Sequence, residues 1–467
     1  MKTRNVSSRG RLIGALLLVT APLATPASPA TALLEVPSGH DLFATDPTTT
    51  VANVQLPAGF FGPGSDPFTG DVMFAGEPLQ TFDGHHVGDA STVVQRAQAA
   101  EPMPTDTVPI EIVALSLISV EPITVTYDGG TNAEEWDVRV GLSSSGPSEG
   151  QVVITQTSAQ GGTFEAQLQV VPLFTFTRLS DGSTRTLDGA ELPPGGFNLT
   201  AGGVPWRAGC ILPALAVPGL NDGFCPSFTP EGQLQPTVFT AAFVHHGVYP
   251  AQPASEHFKC YRLEKADFKA RSVTLADQFG SRSAKVTARS ELCNPVQKND
   301  EPFLNTQAHL VCYATSGPDE GTLVAVRNQF GSQRLLVGEA RRLCVPSQKR
   351  TGKSRFDLIE VPIDHVQCYA VKPETPLRRF GDLGTMELRD QFGRERVAVR
   401  NAVQLCAPVQ KNDELIIQHP LHHLVCYAIR DDRVEKQVIV RNQFEKKKVR
   451  TVRPVRLCVP SDKLVLE

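Results

Sequence analysis

The stretch "HLVCYAI", from His423 to Ile429, sets a histidine three residues before a cysteine and a tyrosine directly after it. That spacing suits half of a metal site, half of a catalytic pair, or a staple in a small β-domain. Three sister stretches narrow the choice: "HFKCYRL" from His257, "HLVCYAT" from His309 and "HVQCYAV" from His365. The intervals are 52, 56 and 58 residues. Self-similarity at a period of this size marks a repeat array, so the motif belongs to a unit used four times.

Each unit continues in the same way. A Gln-Phe pair follows, at Gln278-Phe279, Gln329-Phe330, Gln391-Phe392 and Gln443-Phe444, and the unit closes on Leu-Cys-x-Pro with a lysine three residues on. From Phe to the closing Cys the spacing is always 14, whereas from the first Cys to Gln it is 18, 17, 23 and 17. Length variation therefore sits in one loop, and the third unit carries the insertion "KPETPLRRFGDLG". Units one and three share "PVQKND" and "DQFG"; units two and four share "HLVCYA" and "VRNQF". The array reads A-B-A-B, in two blocks at 257–349 and 365–463.

Stretches such as "TLVAVRNQFG" and "KQVIVRNQF" alternate apolar and polar residues and are rich in β-branched positions, which predicts strands. Gly280, Gly331 and Gly393 follow the Phe and mark a turn; Glu445 stands there in the last unit. A unit of roughly 50 residues buries little core and needs a staple. Two cysteines per unit in an exported chain predict one disulfide each: Cys260–Cys293, Cys312–Cys344, Cys368–Cys406 and Cys426–Cys458. Cys210 and Cys225 make a fifth pair and use all ten cysteines. Crossed pairing between neighbouring units is the alternative. A zinc site is disfavoured, because no fourth ligand recurs in the unit.

The compartment follows from the N-terminus. Lys2, Arg4, Arg9 and Arg11 precede the short apolar run "LIGALLLVTAPLA", and Ala30-Thr31-Ala32 supplies small residues for cleavage. This predicts a signal peptide over 1–32 and a secreted, soluble protein, with no transmembrane segment. The region 33–107 reads as an irregular, β-rich segment full of Pro, Gly, Thr and Asp. From 108 to 250, short strands such as "IEIVALSLISV", "GQVVITQTS" and "TFEAQLQVV", separated by Asp-Gly and Gly-Gly turns, predict a β-sandwich-like domain. The fold class expected is thus all-β: a sandwich-like front followed by four small disulfide-stapled units.

Charge divides the same way. The formal net charge is −4, but residues 33–256 hold 5 basic and 24 acidic residues and residues 257–467 hold 36 basic and 25 acidic. Such asymmetry fits attraction to a polyanion, or two halves that attract each other. Arg334, Arg396 and Lys448 stand four positions after the Phe of their units, Arg394 and Lys446 stand two after it, and Arg282 is one position off the first register. A row of these at hairpin turns is a candidate polyanion contact; the plainer reading is protection of strand edges. Aromatic interleaving for base stacking is missing, so sequence-specific nucleic-acid recognition is not expected.

No nucleophile elbow, zinc-protease helix, phosphate loop or dinucleotide fingerprint occurs. No catalytic residue, metal or cofactor is assigned. "DGHHVGD" offers Asp83, His85, His86 and Asp89, but adjacent histidines on a strand face opposite ways. In "HPLHHLVC", His419 and His422 are candidates to share a loop face, and a solvated loop is the plainer reading. Asp137 beside Trp136 is a carboxylate available to an acid–base pair. The recurring His and Tyr are read as a structural face, with the His near the lysine that follows Leu-Cys-x-Pro.

Together the His-x-x-Cys-Tyr, Gln-Phe-Gly and Leu-Cys-x-Pro elements resemble an uncharacterised repeat domain of exported bacterial proteins. The resemblance covers about His257 to Lys463, and the front half resembles the β-rich region that often precedes that domain. It implies β-structure and export, and no activity. The function expected is a non-enzymatic structural, adhesion or binding protein that contacts a polyanionic polymer or cell-surface component. The alternative is an exported carbohydrate-active or other hydrolytic enzyme, with its site in the acidic front half and the repeats as accessory modules.

Overall fold

Alternation in the front half produces strands with one buried face. In Gly161–Val170, Phe164, Ala166, Leu168 and Val170 are buried while Glu165, Gln167 and Gln169 are exposed. The computed structural model describes residues 33–466 apart from 193–194, 210–223, 231–233, 252–254, 300–302, 304, 353–354, 357–362, 375–382, 413, 415–416 and 431–432. The expected signal segment, Cys210 of the expected fifth disulfide and much of the third unit's insertion lie outside the described residues. Leu33–Glu467 is one compact unit, and the described part is all-β, its helical structure a single 3-10 turn at Gly189–Glu191.

Two sections of one continuous sheet make up the front half, the first closed into a ring and the second running on from it. In the first, Gly39–Thr45, Thr92–Arg96, Thr105–Leu115, Ser148–Ser158, Gly161–Val170, Phe197–Ala208, Thr237–Ala241 and Val244–Pro250 are successive antiparallel neighbours, and the last returns to the first. From Val244–Pro250 the pairing passes through Thr49–Leu56, Phe68–Gly76, Leu117–Ser119, Asn132–Leu142 and Pro172–Arg178. Ile112, Leu168 and Leu199 of the ring meet Val51, Phe74, Val140 and Phe174 of the second section around an apolar space of about 70 Å3. Strands from 39–96 and from 105–250 thus belong to the same sandwich.

The four repeat units close on themselves. Their first strands, Phe258–Leu263, Leu310–Ala314, Val366–Pro373 and His423–Arg430, alternate with their closing strands, Ala288–Pro295, Gly331–Pro346, Gly393–Pro408 and Lys446–Val465. All neighbours are antiparallel, and Lys446–Val465 pairs back with Phe258–Leu263. The result is an eight-stranded barrel without a free edge. Within each unit the two cysteines face each other in register. At each junction the register slips by two residues, so that Cys293 faces Leu310 and Cys458 faces Phe258. Repeated four times, this slip supplies the stagger that barrel closure requires.

The interior of an eight-stranded barrel is just wide enough for side chains or one small ligand, and cysteine occupies most of it here. The disulfides Cys260–Cys293, Cys312–Cys344, Cys368–Cys406 and Cys426–Cys458 lie inside. Between units the sulfurs of Cys293 and Cys312, Cys344 and Cys368, Cys406 and Cys426, and Cys458 and Cys260 are 3.8 Å apart. Bonded and non-bonded sulfur contacts thus alternate round one ring. Phe258, Leu310, Val366 and Leu424 pack against the ring.

Outside the barrel, each unit's hairpin crosses to cover the opposite unit. Gln297–Lys298 of unit one pairs with Thr385–Asp390 of unit three, and Gln410–Lys411 of unit three pairs with Arg271–Asp277 of unit one. Units two and four exchange the same contacts. The recurring tyrosines, each buried, meet the opposite unit's phenylalanine: Tyr261–Phe392, Tyr313–Phe444, Tyr369–Phe279 and Tyr427–Phe330, with ring centroids 4.6 to 5.1 Å apart. The first strands are therefore covered on both faces over most of their length, so that Lys259 and Gln367 are buried there beside the apolar residues.

The residue before Gln-Phe ties this contact together. Asp277, Asn328, Asp390 and Asn442 each accept the amide N–H of the Phe two residues on, at 2.8 to 3.0 Å, which closes the turn as an Asx motif. The same side chains meet the opposite unit's tyrosine hydroxyl. In three units the turn is two residues long, with Gly280, Gly331 and Gly393 at positive φ. In unit four the closing pair is Arg441 with Lys446. The loop there is Asn442–Glu445, and Glu445 accepts from the Tyr313 hydroxyl at 3.2 Å.

Neighbouring units are joined by the recurring histidines and lysines. His257 meets Gln329 at 3.0 Å, His309 meets Gln391 at 3.5 Å and His365 meets Gln443 at 3.2 Å. Lys349 lies over the Phe392 ring, Lys411 over Phe444 and Lys463 over Phe279. Burial, with the same unit's lysine close by, holds His309, His365 and His423 below the usual imidazole range.

Candidate functional site: a polar cleft between the two halves

The hairpin of unit two meets the sandwich, and Leu464 and His422 of unit four touch it as well. Arg327 spans both carboxylate oxygens of Asp137, at 3.1 and 2.7 Å, and also donates to the Ser119 carbonyl at 2.7 Å. Ser332 donates to the Val120 carbonyl at 2.9 Å, and Arg334 holds Glu121 through two bonds at 2.7 and 3.0 Å. Ala75, Val120, Ala325 and Leu464 form a small apolar cluster beside them. The acidic front and the basic rear thus meet in specific pairs. Asp137 is engaged in this docking, and Trp136 is fully buried among Phe61 and Phe176.

Next to these contacts lies a cleft of about 580 Å3. Its front wall includes Thr45, Gln80 and Asp89; its rear wall includes Lys298, Asn328, Gln329, His422, His423 and Asp462; Ser255 and Glu256 join them. Most of its lining residues carry a carboxylate, imidazole, amide, hydroxyl or basic group, and among the described residues no Phe, Tyr or Trp lines it. Desolvation pushes the Asp462 carboxyl up to about 7; Arg327 opposes that shift, and Asp89 and Glu77 add to it. A perturbed acid in a polar cleft is a physical mark of a functional site.

The two histidine motifs singled out by sequence partly converge here. His422 Nε2 lies 3.3 Å from Asp89, its ring stacks on His419 with centroids 4.7 Å apart, and His419 Nδ1 lies 3.2 Å from Asp364. His85 and His86 are exposed on a separate two-residue strand. His423 is buried, with Nδ1 3.1 Å from the Leu421 carbonyl. Neither Asp364 nor the link from Asp89 to His422 was visible in the sequence, since 333 residues separate the latter pair.

Among the described residues, the grouping spaced for a metal ion is Cys260, Glu291 and Cys293. Both its sulfurs belong to one disulfide, so they carry no thiolate charge to offer a cation.

The candidate polyanion contacts fall into two sets. Arg282 is half-buried, bonded to Glu320 at 2.6 Å and to the Tyr369 hydroxyl, and Arg334 is turned onto Glu121. Arg394, Arg396, Lys446 and Lys448 are exposed on the hairpins of units three and four. Arg394 pairs with Glu387, Arg396 donates to the Thr385 hydroxyl at 3.2 Å, and Lys446 lies over the Phe356 ring together with Arg350 and Arg441.

The recurrence of cysteine pair, Gln-Phe turn and closing proline in structurally equivalent places settles the repeat. Residues 309–460 match the family model described as a repeat of unknown function (DUF7450). The DUF7450 match takes in units two to four up to Pro460. Unit one lies outside the matched residues, and its strands occupy the equivalent place in the ring. No curated protein and no solved structure matches the chain. Among the described residues no helix is long and apolar enough to cross a membrane.

Proposed function

We propose that the protein is an exported, non-enzymatic binding protein whose four repeats form one stapled scaffold and present a basic surface to an anionic polymer or cell-surface component. One observation carries this reading. Arg282 is half-buried and held by Glu320, and Arg334, though exposed, is held by Glu121 of the sandwich, while Arg394, Arg396, Lys446 and Lys448 are exposed on the hairpins of units three and four, where only the charge of Arg394 is matched by a neighbouring carboxylate, Glu387, among the described pairs. The recurring His, Tyr, Phe and Lys serve contacts between units, so the repetition supports a scaffold and not four copies of a reactive site. The disulfides are compatible with an oxidising, extracellular setting.

Retention of the full chain on heparin tests it. Retention is expected to fall as salt rises. Lys446→Glu with Lys448→Glu should abolish retention, and Arg282→Gln should leave it unchanged. Equal retention of the two variants would remove the proposal.

The cleft favours a second reading, a hydrolytic enzyme. A carboxyl that keeps its proton near neutrality beside other carboxylates has the makings of a general acid with a partner base. The absence of an aromatic platform among the lining residues places it second for a glycan substrate. Asp462→Asn would abolish any glycan-hydrolysing activity under this reading and leave heparin retention untouched.

A further inference from the structure

The residue two before each closing cysteine points into the barrel, because strand side chains alternate. Those four positions are Glu291, Arg342, Gln404 and Arg456, and together with the eight ring cysteines they line a cavity of about 10 Å3. The Glu291 carboxylate bonds Arg456 and lies 3.3 Å from Arg342. A carboxylate in the equivalent place of unit three would complete an alternation of acid and arginine round the barrel. Unit three has Gln404 instead. Two guanidinium groups therefore share one carboxylate, and a positive charge is left over in the barrel mouth.

The hydrogen bonds are short by the same account. Arg342 Nε, Gln404 Nε2 and Arg456 Nε are buried without an acceptor, and Gln404 is 3% exposed. Buried donors normally find partners, and an uncompensated buried charge is costly. A cavity of this size holds one water-sized occupant. Water has two lone pairs for three donors and leaves the charge unmatched. Burial lowers the Arg342 pKa despite Glu291, and Arg456 and Arg341 lower it further, which fits a site of positive potential.

We propose that the barrel mouth binds one small monovalent anion, a halide such as chloride, through Arg342, Gln404 and Arg456. The anion takes the place that a second carboxylate would fill, and so adds to the stability of the ring. It belongs to the scaffold, separate from the basic hairpins and from the seam cleft.

The test is unfolding of the full chain in sodium chloride, sodium bromide and sodium gluconate at equal ionic strength. The midpoint is expected to rise with the logarithm of halide concentration and to stay flat in gluconate, which is too large for the cavity. Gln404→Glu should supply the anion internally, abolish the halide dependence and leave the protein at least as stable in gluconate as the parent is in chloride. Equal midpoints of the parent in halide and gluconate, or an undiminished halide dependence in Gln404→Glu, would overturn the proposal. Should that variant fold poorly, crystals of the unmodified chain grown in bromide decide the matter. An anomalous peak between Arg342, Gln404 and Arg456 supports the site, and its absence refutes it.

Discussion

The hydroxyl of Tyr261 donates to Oδ2 of Asp390 at 2.8 Å across 129 residues of sequence. Tyr369 and Asp277 make the reciprocal bond at 2.5 Å, so units one and three hold each other by the same pair in both directions. Hydrogen bonds to charged groups contribute about 1.5–3 kcal/mol. Tyr261→Phe should lower the unfolding free energy by that amount in denaturant titration. Combined with Asp390→Asn in a double-mutant cycle, it should show a coupling well above zero. A coupling near zero would mean that the two side chains do not meet.

The sulfur ring predicts how cysteine variants behave. Removing one disulfide, as in Cys426→Ser with Cys458→Ser, should cost about 3–4 kcal/mol for a loop of this length. Cys458→Ser alone leaves the Cys426 thiol 3.8 Å from the sulfur of Cys406. Its thiolate can attack Cys406, form Cys406–Cys426 and release Cys368 as the new thiolate, which then faces Cys344 at the same distance. Non-reducing peptide mapping of this variant should find Cys406–Cys426. Three untouched parental bonds with Cys426 free would contradict the ring.

The seam rests more on Arg327 than on Arg334. The Arg327–Asp137 pair is largely buried, with both side chains 13% exposed, and Arg327→Ala strands a desolvated carboxylate. A loss of about 3 kcal/mol is expected. Arg334 and Glu121 are far more exposed, and Arg334→Ala should cost under about 1 kcal/mol. Thermal or denaturant unfolding of the two variants checks the ranking.

Asp462 gives the protein a pH signature. Its carboxyl titrates near 7 when folded and near 3.9 when unfolded, so between these values the folded chain binds the proton more tightly. Its contribution to stability is complete below about pH 4, falls as pH rises towards 7 and levels above that. Asp462→Asn should remove this decline, so that its stability relative to the parent improves between pH 4 and pH 8. Parallel profiles would show that the carboxyl is not desolvated.

Repeat number, strand character and the residues of each turn were legible because they recur at fixed spacing within one unit. Closure of the ring was not. It depends on pairing between Phe258–Leu263 and Lys446–Val465, elements at opposite ends of the array that no local pattern connects. The Asp or Asn before Gln-Phe stood in plain sight in "DQFG" and "RNQF", and its invariant short polar type was the available signal. Its meaning needed the tyrosine of the opposite unit. The basic residues past the Phe looked equivalent by position; the structure separates them, because Arg334 meets Glu121 of the sandwich and Arg282 meets Glu320 of the neighbouring unit. The cleft was invisible, since Asp89 and Asp462 are brought to one cavity only by docking of the two halves.

Closure of the four units into one barrel is the central claim, and a crosslink tests it most directly. Arg262 in the first strand of unit one lies opposite Arg453 in the closing strand of unit four, and both are exposed. With cysteine placed at both positions, peptide mapping of the oxidised monomer should recover residues 262 and 453 joined, and the native pairs intact. Two free thiols at these positions beside intact native pairs would mean that the first and last units do not touch, and that the repeats form an open string.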